Sequence, residues 1–228
     1  MTSEEIGILL LSLKVAGTAM AASLPLAILV ALVLARLNFP GKSIVRGIVQ
    51  LPLILPPVVT GFSLLILLGR NGVIGAWLYS AFGVSFAFRW TGAALAAGVM
   101  GFPLMERAIR LAAETVDQGL EQAAATLGAG RWRIFATVTL PLMLPGIVTG
   151  VLLSFGRSLG EFGATITFVS NIPGETRTLP LAIYTFTQVP EGDAPALRLV
   201  VISVVLSLAT LVVGEYLNQR AFARLHGR

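Results

Sequence analysis

The chain of 228 residues is 56% hydrophobic and 12% charged, with a mean hydropathy of +0.87, about half the charge of an ordinary soluble domain. At about 20 residues per helical span, five or six spans with short loops consume that length and exclude a separate soluble domain. The net charge of +5 comes from sixteen Lys and Arg dispersed by loop and not interleaved with aromatics, which excludes a nucleic-acid surface, and the absence of cysteine excludes disulfides and Cys-ligated metals.

The N-terminal MTSEE is acidic and lacks the cationic start of a secretory signal, so the first apolar run is expected to be kept as a span that begins outside. That span covers residues 6–35, with Pro25 as a kink and Lys14 near the outer end, where its ammonium either snorkels to the surface or faces an aqueous path. Arg36, Asn38, Pro40, Gly41, Lys42 and Arg46 make an inner loop. Gly41-Lys42-Ser43 imitates the end of a phosphate-cradling motif, but the first glycine of GxxxxGKS falls on Arg36, so ATP must bind elsewhere.

Residues 44–69 form a second span, broken by Pro52, Pro56, Pro57 and Gly61. The carbonyls that these prolines release need neighbouring helices or water, which places the segment inside a bundle beside a pathway; a kinked packing helix is the plainer alternative. Residues 70–89, with Trp77, Tyr79 and several turn residues, suit a short helix at the outer interface. The third span, 90–112, is rich in Gly and Ala up to Pro103, and Glu106, Arg107 and Arg110 fit a cytoplasmic exit. A polar loop at 114–136 leads to a fourth span, 138–156, with Pro141 and Pro145 expected in its first turns, where backbone donors lack partners anyway. The fifth span is 197–217, followed by a basic tail at 220–228 that holds the single histidine, His226, expected in solvent or among lipid headgroups.

Arg36, Lys42, Arg46, Arg107, Arg110, Arg131, Arg133, Arg220, Arg224 and Arg228 then lie inside, against Arg70, Arg89, Arg177 and Arg198 outside. This bias gives an all-α polytopic membrane protein of about five transmembrane helices, one domain over 6–219, with its N-terminus outside and C-terminus cytoplasmic. No internal repeat is visible, so two-fold symmetry would come from a homodimer.

The polar stretch from Glu121 to Pro141 reads EQAAATLGAGRWRIFATVTLP. Glu121 to Leu127 favours a short helix, whose alanines 123–125 leave a face bare enough for another protein to approach. Gly128 stops it by accepting left-handed backbone, and Gly130 allows a second bend before Arg131. The pattern resembles the EAA loop in the inner-membrane permease subunits of bacterial ABC importers: Glu-Ala-Ala, three residues, Gly, nine residues, Ile-x-Leu-Pro. Ala123, Ala124, Gly128, Val138, Leu140 and Pro141 stand at the matching spacings. Gln122 occupies the family's Glu position, with Glu121 one place earlier, which leaves open the side chain that contacts the ATPase. The resemblance implies a type I importer fold in which the loop enters a groove on a cytoplasmic ATPase and turns its closure into rotation of membrane helices. ATP and Mg belong to that partner; this chain is expected to hold no cofactor, metal or catalytic residue. An ordinary connector between two helices is the alternative.

Arg157 and Glu161, four apart, share a helix face and can neutralise one another inside the membrane, either as a structural pair or as one that opens with a gate. If the pair is structural, exchanging both residues should preserve function better than removing either charge. Gly160 and Gly163 give the backbone freedom to bend. The run Gly160-Glu161-Phe162-Gly163-Ala164, followed by Asn171-Ile172-Pro173-Gly174-Glu175-Thr176-Arg177-Thr178, resembles the molybdate branch of these permeases; sulfate and thiosulfate permeases share a related Gly-Glu-aromatic-Gly element. Arg157, Thr165, Thr167, Ser170 and Lys14 could donate to a tetrahedral dianion in a low-dielectric layer, and equally to other polar solutes.

The resemblance implies import of molybdate across the bacterial inner membrane, with tungstate or sulfate and thiosulfate as alternative cargo for the same architecture. Its implied partners are a second copy, two cytoplasmic ABC ATPase subunits, a periplasmic molybdate-binding protein and the lipid bilayer. An intramembrane enzyme would need a catalytic constellation that the sequence lacks. An ion-driven transporter would need inverted repeats or buried acidic relays, whereas only Glu161 reads as deeply placed.

Overall fold

A computed structural model describes residues 2–225, all helices and connections; His226 and Arg228 of the basic tail lie outside the described residues. Helix α1 (Ser3–Arg36) starts on a capping box, in which the Thr2 hydroxyl accepts from Glu5 N–H (3.2 Å) and the Glu5 carboxylate accepts from Thr2 N–H (2.8 Å). The helix continues through Pro25.

The stretch 44–69 is not one straight span. Helices α2 (Lys42–Ile54) and α3 (Pro57–Leu68) meet at 113°. Leu55 and Pro56 each precede a proline, which disfavours helical backbone, and their ψ angles are 143° and 134°. The short α4 (Val73–Phe82) follows, then α5 (Trp90–Thr115), α6 (Gln118–Thr126), α7 (Arg131–Ile134), α8 (Leu140–Leu159), α9 (Gly163–Val169), α10 (Leu179–Phe186) and α11 (Asp193–Leu225).

A five-residue π-turn, Phe135–Thr139, joins α7 to α8, so residues 131–159 form one continuous helix. This corrects the expectation that Pro141 and Pro145 sit in the first turns. Pro141 stands ten residues inside the helix, where it cannot donate a hydrogen bond. The π-turn just before it, with Leu140 N–H bonded to Phe135 O, widens the spiral where the ring would crowd the preceding turn.

Among the described residues, α1, the 131–159 helix and α11 are long and apolar enough to cross a membrane, and the bent α2–α3 pair would make a fourth crossing. Helix α5 has 26 residues, but its second half carries Glu106, Arg107, Arg110 and Glu114. It is the axis of the bundle. Its small buried residues, among them Ala93, Ala97, Gly98 and Gly101, let α1 and α8 close on its two sides. A Cβ on Gly101 would lie 2.6 Å from Ser154 Oγ of α8. One apolar cluster gathers Val15, Ala97, Met100 and Phe168 towards the start of α5; another gathers Ala31, Met105, Ile109 and Met143 towards its end. The outward faces of α2, α3 and α11 are apolar, with Ile54 79% and Leu211 70% exposed, a surface suited to lipid and not to water.

Candidate functional site

Helix α6 begins at Gln118, three residues before the expected start, because the Asp117 carboxylate caps Gly119 N–H at 2.8 Å. It ends in a Schellman motif: Gly128 N–H bonds to Ala125 O (3.0 Å) and Ala129 N–H to Ala124 O (3.1 Å). That motif needs a left-handed residue, and Gly128 supplies it with φ +85°. Gly130 is extended and caps α7. Gln122 and Ala123 are exposed, and Leu127 and Trp132 are 88% and 84% exposed on the same loop. Such large, bare apolar groups are typical anchors for a protein partner.

Glu121 points the other way. Its Oε1 accepts from Arg36 Nη2 at the end of α1 (2.9 Å) and from the Thr139 hydroxyl in the π-turn (2.7 Å). Val138, Leu140 and Pro141 are half-buried in the helix that leaves the loop. Gln122, in the family's Glu position, is therefore the polar side chain displayed outward.

The Arg157–Glu161 pair forms at 2.6 Å, but not along a helix face. Helix α8 stops at Leu159, Gly160 is its C-cap, and Glu161 lies beyond. The carboxylate is buried and the guanidinium half-exposed. Glu161 Oε1 also accepts from Ala164 N–H (2.8 Å), so it caps α9 while holding Arg157. The adjoining Ser158 hydroxyl donates to Ala97 O of α5 (3.2 Å).

Two sets of residues far apart in sequence meet here. A Cβ on Gly163 would lie 2.7 Å from Pro57 Cβ, and one on Gly61 would lie 2.5 Å from Ala164 O. The proline break between α2 and α3 thus rests on the Gly160–Gly163 bend, alongside Pro56; Pro52 lies one turn earlier in α2. Phe162 packs on Tyr184, ring centroids 5.2 Å apart. Thr165 is buried, Thr167 donates to Gly163 O (2.6 Å), and Ser170 ends α9 with φ +64°. The run from Asn171 to Thr178 folds as a turn that is strapped to α1: Arg177 pairs with Glu4 (3.4 Å), and Leu179 N–H donates to Ser12 Oγ (2.8 Å). Glu5 pairs with Arg198 of α11 (2.8 Å). Lys14 is exposed with its ammonium 3.7 Å from the Trp90 ring centroid, a cation–π contact.

One expectation is overturned: Glu161 is not alone in being deeply placed. Glu106 is fully buried; it accepts from Arg110 Nε (2.9 Å) and from Gln50 of α2 (3.2 Å), and Arg110 also holds Glu114 (3.1 Å). A carboxylate and a guanidinium four residues apart on one helix can be buried together because each offsets the other's desolvation. The i, i+4 spacing is legible in the sequence, as it is for Arg157 and Glu161. Arg107, one place off that face, is exposed.

The family model described as "Binding-protein-dependent transport system inner membrane component" matches residues 23–223. The chain is 59% identical over 217 residues to the molybdenum transport system permease protein ModB of Escherichia coli K12, covering 95% of each chain. It is 56% identical over 221 residues to the protein of the same name from Haemophilus influenzae, covering 97% of this chain and 96% of that one. Among solved structures, it resembles a chain of a bacterial alginate ABC transporter in complex with an alginate pentasaccharide-bound periplasmic protein. The TM-score is 0.75 at 18% identity, over 96% of this chain and 80% of that one, a likeness of fold.

Proposed function

The chain belongs to the family of binding-protein-dependent transport system inner membrane components, and from that premise we propose that it is the membrane-spanning subunit of an importer for molybdate. The observation that carries this reading is 59% identity to a molybdenum permease across 95% of both chains. The protein is a multi-pass component of the bacterial inner membrane and a transport subunit, not an enzyme.

Two copies surround the path, each docked to a cytoplasmic ATPase that binds ATP and Mg, and a periplasmic binding protein delivers the anion. The N-terminus faces outside and the loop at 114–136 faces the cytoplasm. Support for that loop comes from its shape: a short capped helix, an elbow at Gly128 and two bare apolar side chains, Leu127 and Trp132. ATP closes the ATPase pair, α6 is displaced, and the 131–159 helix carries the movement to Arg157 and Glu161, where the path opens to receive the anion. Hydrolysis reverses it. In the low-dielectric layer a dianion needs cations or donors, and half-exposed Arg157 supplies one beside the Gly160 bend.

The test is uptake of labelled molybdate by vesicles that hold the permease, its ATPase and the binding protein. ATP-dependent uptake that excess sulfate fails to suppress is the expected result; uptake that sulfate abolishes, or uptake without nucleotide, would overturn the reading.

A further inference from the structure

Glu121 sits in the first turn of α6, and Arg36 in the last turn of α1. Each charge is where its own helix dipole favours it. One oxygen of Glu121 then accepts from the guanidinium of Arg36 and from the hydroxyl of Thr139, which joins the end of α1, the loop helix and the π-turn at one atom. Both side chains of the ion pair are largely shielded, 19% and 24% exposed. Arg36, Glu121 and Thr139 line an open surface groove of about 300 Å³, and π-bulges are frequent at functional sites. Gln122, next to it, is exposed, as is Leu127 at the C-cap of α6.

We propose that Glu121 is a positioning residue that fastens the coupling helix to α1, so that displacement of α6 is delivered to α1 and to the 131–159 helix together. The proposal rests on the reading of 114–136 as the loop that meets the ATPase. α6 is chained to α5 through Val116 and Asp117 and to the 131–159 helix through the Gly128 elbow; without the joint it reaches α1 only through the packing of those two helices, and the direct tie is lost.

The experiment uses the full assembly of permease, ATPase and binding protein in vesicles, with molybdate taken up per ATP hydrolysed as the readout. Glu121→Ala and Arg36→Ala are expected to keep the ATPase bound and to lower that ratio about tenfold, the scale of one charge-assisted hydrogen bond. The exchanged pair, Arg36→Glu with Glu121→Arg, is expected to recover only part of it: the Thr139 hydroxyl can accept from an arginine, but both exchanged charges oppose the dipoles of their helices. Unchanged coupling in both single variants would overturn the proposal. So would loss of the ATPase from the Glu121→Ala assembly, which would put Glu121 on the partner's surface. An unmodified assembly that imports molybdate without nucleotide would remove the underlying reading, and this proposal with it.

Discussion

Gly128 offers the sharpest test of the elbow, because space and backbone conformation are separable there. A Cβ at this position meets nothing within 4 Å, so a side chain carries no packing penalty. The cost is all conformational: φ is +85°, and an L-residue held in left-handed backbone costs about 1–2 kcal/mol, more if β-branched and less for asparagine. That corresponds to roughly a 5- to 30-fold loss in the population of the native turn, since about 1.4 kcal/mol is tenfold. Gly128→Asn, Gly128→Ala and Gly128→Val should therefore show progressively weaker molybdate uptake and ATPase stimulation by the binding protein, with the permease still inserted and folded. Gly130 is the control: it is extended at φ −70° with open space around it, so Gly130→Ala should be near neutral. Equal activity of the Val and Gly forms at 128, or equal damage from alanine at 128 and 130, would refute the reasoning.

Glu106→Ala strips Arg110 of its buried partner and leaves it only the exposed Glu114; a loss of about 3 kcal/mol is expected. In thermal unfolding of the detergent-purified permease it should melt well below Glu114→Ala, and equal melting would count against the buried pair. At the other pair, Glu161→Gln should retain more molybdate uptake than the exchange of Arg157 and Glu161, even though the exchange preserves charge. An arginine at 161 cannot accept from Ala164 N–H, and uptake restored by the exchange would show the cap on α9 to be dispensable.

Much of this arrangement is written locally in the chain. Gly128 is legible because few other residues take the backbone that closes a Schellman motif, and Leu55-Pro56-Pro57 is legible because two successive pre-proline positions both disfavour helix. What the sequence conceals is direction. Counted as charges, Glu106 and Arg110 mark the end of a span, and only the path of α5 between α1, α2 and α8 reveals that they are buried. Glu121 stands one place before Gln122, but Arg36 is 85 residues away, so nothing local tells that its carboxylate turns inward. Pro141 reads as a helix start since the compensating π-turn has no sequence signature of its own.

The helix that leaves the 114–136 loop is also the helix that ends at the Arg157–Glu161 ion pair. Residues 131–159 rise about 40 Å at 1.5 Å each, enough to span a bilayer's hydrocarbon layer. At the lower end Thr139 is tied to Glu121; at the upper end Ser158 is bonded to α5 and Arg157 to Glu161. Regular α-helical bonding along 131–169 is broken at the π-turn and again at Gly160 to Phe162. A stiff rod with compliant joints at its two ends transmits rotation without shearing its own hydrogen bonds. Glu161 sits at the upper joint, holding the rod with one oxygen and the first turn of α9 with the other, while Gly163 presses on Pro57. A turn of the rod must therefore either carry α9 and the α2–α3 break with it or break the Arg157–Glu161 bond. Removing the carboxylate would release α9 from the end of the 131–159 helix.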